Sequence, residues 1–525
     1  MNDRNPLIYI IGALLACLVC ISVFVGDGNL LANLFFYLII GGGILAIVSP
    51  KAGFILCLIS CFYVDLVKRL MVVSDRVQMQ DLYYVLGFPP LVFSIVLVSL
   101  LVRGMVGKTR LIRWNLMMFV VACIIALINT ALSLFQGDAG IGRALQDAAN
   151  GGLYAMILFV VPLLYPKADD VLRLFKALLW IFVPVAIYGV VQQVWGFREF
   201  ELLYLQTGLS IEAKQLLTDR VRAFSTLNSP TSLGAISAAL MMVPLFLATT
   251  RRTGGGKHLS LPMALLYTGM FAAALAASTS RSGIIIITVC LAGLWCFRSR
   301  LGTAVYYIVM LLTFATLLIG ATYFQDRLND MSEKLIALAG SRFSEDTLSI
   351  NTFSDRLQGF SQVLTNPDAY SLFGFGKDRG NDPGDPLYNH DMLSNILVHH
   401  GVIALGVVIL LGTFALLLIH RSLLRIRDKP QRRIGAMMLA LVMGLVAISV
   451  TSGSILNIFP VNIIFWLAVT AAVQAARSTQ TAVQPAAAPA HSGMMPHQQR
   501  SIPGVLPTPL PSAQRRFHKS SLPCP

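Results

Sequence analysis

Residues 261–297 read LPMALLYTGMFAAALAASTSRSGIIIITVCLAGLWCF, and Arg281 is the only Asp, Glu, Lys or Arg among them. A helix needs about 20 consecutive apolar residues to cross a bilayer. The stretch therefore reads as two spans, 261–279 and 283–297, joined by a tight turn that carries a guanidinium. An isolated charge in hydrocarbon costs several kcal/mol, so Arg281 has to face water or a partner at the membrane boundary.

The rest of the chain has the same texture. Of its 525 residues 56 % are hydrophobic and only 12 % are charged, with a mean hydropathy of +0.72. Soluble domains carry about 25 % charged residues. The expectation is an all-α polytopic membrane protein with about 12–14 transmembrane helices. Candidate spans fall at 7–25, 30–48, 52–72, 83–102, 114–135, 151–166, 177–195, 230–249, 261–279, 283–297, 303–323, 391–419, 434–452 and 455–476. The apolar core of the first is too long for a signal peptide and lacks a small-residue cleavage site.

The net charge of +15 reports topology rather than a nucleic-acid groove. Basic residues come in short clusters between spans: Arg103 to Arg113, Arg251 to Lys257, Arg298 with Arg300, and Arg421 to Arg433. This is the positive-inside pattern of cytoplasmic loops. An even span count then puts both termini in the cytoplasm, with the loops 136–150, 196–229, 324–390 and 453–454 outside. Lys68, Arg69 and Arg76 fall near the outer face and depart from the rule.

Seven of the eight cysteines sit in apolar segments, and the Cys17–Cys20 pair has no polar surroundings, so neither a disulfide framework nor a metal site is indicated. No cofactor is expected. The loop 324–390 carries six Lys/Arg against ten Asp/Glu and five aromatics between Phe360 and Tyr388, which favours a folded, partly helical segment. The tail 478–525 is rich in Pro, Ala and Ser and reads as a disordered cytoplasmic extension. Three regions result: N-terminal membrane helices over 1–200, a membrane core over 201–477 that includes the long loop, and the tail.

The candidate functional residues are polar groups on the outer boundary: Arg222, Arg281, Arg356, Arg379 and His390. Four of them have a plain alternative: Arg281 as a snorkelling anchor, Arg222 as a loop arginine, Arg356 paired with Asp355 or Glu345, and His390 as a helix cap or anchor. His399 and His400 read as helix packing. Asn228 or Ser229 can cap a helix that begins at Pro230. Several outward guanidiniums suit a diphosphate, which they grip with paired hydrogen bonds, and a nearby imidazole can move a proton at neutral pH.

Four segments resemble elements of the O-antigen ligase and polymerase superfamily, in that family's order. YNHDMLSNILVHHGVIAL resembles its histidine motif through His390, Leu393 and Gly401, with Asp391 where Asn is usual and Ala404 where a second Gly is common. STSRSG, 278–283, is similar to its Ser-x-Ser-Arg element. RAFSTLNSPTSLG, 222–234, is similar to its Arg…Thr…Asn-Pro segment, with Ser229 splitting the Asn-Pro pair. SDRLQGFSQVLTNPDAYSLFGFGKD, 354–378, is similar to the Arg and Gly-x-Gly stretch before the histidine.

The resemblance spans about 220 to 405. It implies a GT-C-like glycosyltransferase of a bacterial inner membrane, with its site facing the periplasm and a long periplasmic loop before the third-last helix. The implied donor is a polyprenyl-diphosphate-linked oligosaccharide, and the acceptor a glycan or lipid. Arg222, Arg281 and Arg356 would hold the diphosphate and His390 would activate the acceptor, with Asp391, Tyr388 and Arg379 as further glycan or acceptor contacts. Other polysaccharide assembly proteins are implied partners. Polymerisation of repeat units is the favoured activity and ligation onto lipid A core or protein the alternative. A flippase for the same lipid is the rival of another class; it predicts internal repeats and midplane-broken helices.

Overall fold

The computed structural model describes residues 30–73, 82–107, 111–134, 152–207, 222–250, 258–297, 371–375, 392–426, 429–452 and 458–481, with a few single positions besides. Among these residues the regular structure is entirely helical, as an all-α polytopic membrane protein requires.

Four helices come first: α1 (Leu30–Val48), α2 (Pro50–Val73), α3 (Leu82–Met105) and α4 (Arg113–Leu134). A 3₁₀ turn, Leu153–Met156, leads into the short α5 (Ile157–Leu164), and α6 (Ala168–Trp195) and α7 (Glu199–Gln206) follow. The second half comprises α8 (Pro230–Thr249), α9 (Leu261–Ser278), α10 (Arg281–Cys296), α11 (Met392–Arg425), α12 (Lys429–Ser452) and α13 (Val461–Thr481). Every expected span except 7–25 and 303–323 coincides with one of these helices; those two lie outside the described residues or almost so. The loop 324–390 and the tail beyond Thr481 also lie, apart from 371–375 and two single positions, outside them.

Among the described residues, six segments are long and apolar enough to cross a bilayer: Tyr84–Met105, Asp169–Trp195, Pro230–Thr249, Leu261–Ser278, Met392–Gly412 and Gln431–Ser449. Apolar residues exposed along α3, α4, α9 and α11, Val98, Leu127, Leu266 and Leu410 among them, form the surface such a protein turns to lipid. α8 and α12 are the most buried of the six segments, each with 78 % of its apolar window buried against 22 % for α11, and α8 packs on α6, α9, α10 and α12. The small residues of α8, Gly234, Ala235, Ser237, Ala238 and Ala239, let neighbouring helices approach its backbone, as van der Waals packing between membrane helices demands.

Contacts between helix ends sort the connections into two sets. Arg103 at the end of α3 donates to the Ile47 and Val48 carbonyls where α1 gives way to α2. The Lys51 ammonium lies 5.7 Å from the Tyr165 ring, and Gln474 near the end of α13 donates to the Tyr165 carbonyl. Asp169 at the start of α6 faces His258, which precedes α9, and Phe297 after α10 packs on Ile426 after α11 and on Ala436 of α12. This is the basic end of the bundle, with Lys51, Arg113, Lys167, Arg421 and Arg433 exposed on it. At the other end lie the last turns of α2 and α6, α7, the segment 222–229 and the α9–α10 turn.

One element was hidden in an apolar run. α11 is broken at Gly401, where φ is 83° and ψ 179°, a left-handed conformation that favours glycine. The break frees backbone groups in a lipid-facing helix, and they must be satisfied internally. Residues 371–375 supply the partners. Phe375 donates to the Val398 carbonyl at 2.9 Å, while Val402 and Ile403 donate to the Ser371 and Leu372 carbonyls at 3.1 and 3.3 Å. The third-last helix thus begins as two pieces laced together by the loop that precedes it.

Candidate functional site

The turn that opened the sequence question has a defined shape. Thr279 ends α9 in the left-handed region with φ 48°, Ser280 is extended, and Arg281 takes the first helical position of α10. The turn is packed against α8. Ser278, Ser280 and Ser282 are buried, and the Ser280 and Ser282 hydroxyls bond each other at 2.7 Å. Gly234 of α8 makes this possible, because a Cβ there would lie 2.2 Å from Ser280 Cβ.

Arg222 reaches the same turn. Its Nε donates to Thr279 Oγ1 at 3.1 Å, and the next residue, Ala223, donates its backbone N–H to the Ala277 carbonyl at 3.1 Å. The Arg222 side chain is therefore held at the turn from which α10 starts with Arg281. Nearby, Ser229 caps α8, accepting from the Ser232 N–H at 3.2 Å, with Pro230 at the first helical position. The residue that interrupts the family's Asn-Pro pair is itself the cap. The N-termini of α8 and α10 both carry partial positive charge at this end of the bundle. Arg356, Arg379, Tyr388, His390 and Asp391 lie outside the described residues; α11 begins at Met392, directly after Asp391. His399 is buried and His400 half-buried within α11, at the Gly401 break.

What sequence reasoning missed is the support beneath Arg222. Arg69, 2 % exposed, pairs with the fully buried Glu201 at 3.4 Å and donates from Nη2 to the Ser225 and Leu227 carbonyls at 2.6 and 3.1 Å. Its Nε donates to the Asp65 carbonyl at 3.1 Å, and its guanidinium stacks 4.5 Å from the Phe224 ring centroid. Glu201 also accepts from Tyr188 at 2.9 Å and from Gln192, and its other oxygen takes the Arg198 N–H at 2.9 Å, a capping box for α7. Gln192 Oε1 receives the Phe224 and Ser225 N–H groups at 3.1 and 2.6 Å.

These bonds hold Ser225 at φ 56°, and the Ser225 and Thr226 hydroxyls tie the turn to the Val185 and Phe62 carbonyls. The arginine that departed from the charge rule is neutralised in the interior and spends its donors on the segment that carries Arg222. Its only sequence signal was that departure. Lys68, one residue earlier, pairs with Asp65 at 3.5 Å and lies 5.8 Å from the Tyr204 ring.

Chemically, the end opposite the basic clusters offers the Arg222 guanidinium, bonded to Thr279, beside two helix N-termini. That is an arrangement for anions. Comparison with protein-family models and with curated protein sequences gave no match to this chain.

Proposed function

We propose that the chain is a GT-C-like inner-membrane glycosyltransferase that polymerises lipid-linked oligosaccharide repeat units on the periplasmic face. The observation that carries the reading is the Arg222–Thr279 bond, which fixes one guanidinium two residues from Arg281 at the end opposite the basic clusters. The order of motifs around it supplies the chemistry. Arg222, Arg281 and Arg356 hold the diphosphate of a polyprenyl-linked donor. An acceptor hydroxyl attacks the anomeric carbon, the bond from that carbon to the diphosphate oxygen breaks, and the electron pair leaves on the diphosphate. His390 takes the acceptor proton. Charge grows on the leaving diphosphate in the transition state, so preorganised donors there lower the barrier. The buried arginine network beneath Arg222 supports this reading because it sets the donor's position before substrate arrives.

The test is genetic and chemical together. Deleting the gene should cause single lipid-linked repeat units to accumulate. Finished polymer that stays unligated would make the enzyme a ligase. Lipid intermediates trapped on the cytoplasmic leaflet would make it a flippase and remove the glycosyltransferase reading.

A further inference from the structure

A second site lies at the opposite, basic end and needs nothing of the reading above. A cavity of about 450 Å³ opens between α6 and α9, lined by Lys176 and Trp180 of α6, by His258, Leu259 and Ser260 of the connection, and by Met263 and Tyr267 of α9. Its mouth is polar and its wall is apolar and aromatic, with Trp180 edge-on to Tyr267 at 5.8 Å.

Three features of this cavity point to an anionic, amphiphilic occupant. Lys176 sits inside an apolar helix, flanked by Phe175 and Ala177, where an ammonium needs an anion or an aqueous lip. The N-terminus of α9 opens at the mouth. Its capping residue, Ser260, makes no side-chain cap bond; Pro262 has no N–H and Ala264 donates to the Ser260 carbonyl, so the Leu261 and Met263 N–H groups of this 18-residue helix remain for a ligand. Tyr267 is 2 % exposed, and its buried hydroxyl has no hydrogen-bond partner. Buried hydroxyls are almost always partnered, so this one is built for a group that arrives from outside. Of the two carboxylates at the start of α6, Asp169 lies 3.8 Å from His258 Nε2 and Asp170 pairs with Arg173 at 3.0 Å.

We propose that this cavity binds an anionic phospholipid of the leaflet at the basic end. The phosphate meets Lys176 and the α9 N-terminus, an ester or phosphate oxygen accepts from the Tyr267 hydroxyl, and the first acyl methylenes lie along Met263 and Trp180. A free phosphate would satisfy the mouth and leave the aromatic wall empty. Basic recesses between membrane helices on the cytoplasmic side are suited to anionic headgroups on the same electrostatic grounds.

The test uses the purified full-length protein, stripped of lipid in neutral detergent. Phosphatidylglycerol, phosphatidylcholine and inorganic phosphate are added separately, and lipid retention and the thermal midpoint are read. Phosphatidylglycerol alone should be retained and should raise the midpoint. Lys176→Gln should weaken its retention about fivefold, near the contribution of one cation at a lipid surface, and Tyr267→Phe about fivefold, near that of one net hydrogen bond. Arg421→Gln, exposed elsewhere on the same end, should leave it unchanged. Tyr267→Phe keeps the ring and its packing, so an effect there reports the hydroxyl. Retention unchanged in either variant overturns the proposal. An equal loss in Arg421→Gln means a diffuse charged surface, and a full shift from phosphate alone means a free-anion site; both overturn it too. None of these outcomes bears on Arg222 or Arg281.

Discussion

Arg69 and Glu201 lie 132 positions apart in sequence and meet at 3.4 Å in the interior, 2 % and 0 % exposed. The pair links α2 to α7, and Arg69 extends the link to the segment behind Arg222 through the Ser225 and Leu227 carbonyls.

Removing one member of a buried pair leaves an uncompensated charge and costs about 3–5 kcal/mol. Arg69→Met and Glu201→Gln should each lower the thermal midpoint of the purified protein sharply. The double variant should recover part of the loss, since neither charge is then left alone. Losses that simply add in the double variant would mean the two residues act separately.

The helices were legible because apolar runs bounded by basic clusters leave little choice of structure. Asn228 or Ser229 before Pro230 announced the start of α8, which Ser229 caps, and the α9–α10 turn lay where the lone Arg281 put it. Long-range pairing was not legible. Arg69 looked like a stray cation because Glu201 and the Ser225 carbonyl lie far along the chain. The break in α11 was equally hidden: Gly401 sits in a run apolar enough to pass for an unbroken helix, and only the contact with residues 371–375 shows why a glycine is needed.

The Arg222–Thr279 bond allows a graded test of the candidate site. Arg222→Ala should lower product formation about 100-fold, the order seen when one preorganised transition-state donor is removed. Thr279→Ala should cost about tenfold, the order of one hydrogen bond to a charged group, and Thr279→Ser should restore most of it. Protein level in the membrane should hold in all three, as measured by quantitative immunoblot. Full activity in Arg222→Ala would take that residue out of the mechanism.

Glycine substitutions along α11 should divide cleanly. A Cβ on Gly401 would lie 2.4 Å from the Gly374 nitrogen and from the Leu372 carbonyl oxygen, in a left-handed conformation. Gly401→Ala should therefore lose about 1–3 kcal/mol from backbone strain, before any cost of displacing 371–375. Gly406 and Gly412 have nothing within 4 Å of an added Cβ, so alanine there should be neutral or gain up to about 1 kcal/mol. Thermal unfolding of the three variants measures this directly. A protease acting on the loop 324–390 should cut Gly401→Ala faster than the parent.

Sidedness decides whether the candidate site can meet a lipid-linked donor outside the cytoplasm. The sequence 421–433 holds Arg421, Arg425, Arg427, Lys429, Arg432 and Arg433, and the positive-inside rule predicts the cytoplasmic side for charge of this density near span ends. Asn228 is exposed at the opposite end, one residue before the Ser229 cap. In a cysteine-free background, Asn228→Cys should react with a membrane-impermeant maleimide in cells whose outer membrane has been permeabilised. Arg421→Cys should react only after the inner membrane is opened. The reverse pattern would place Arg222 and Arg281 in the cytoplasm, where no periplasmic polymerisation could use them. The phospholipid recess between α6 and α9 would then belong to the outer leaflet, with its chemistry unchanged.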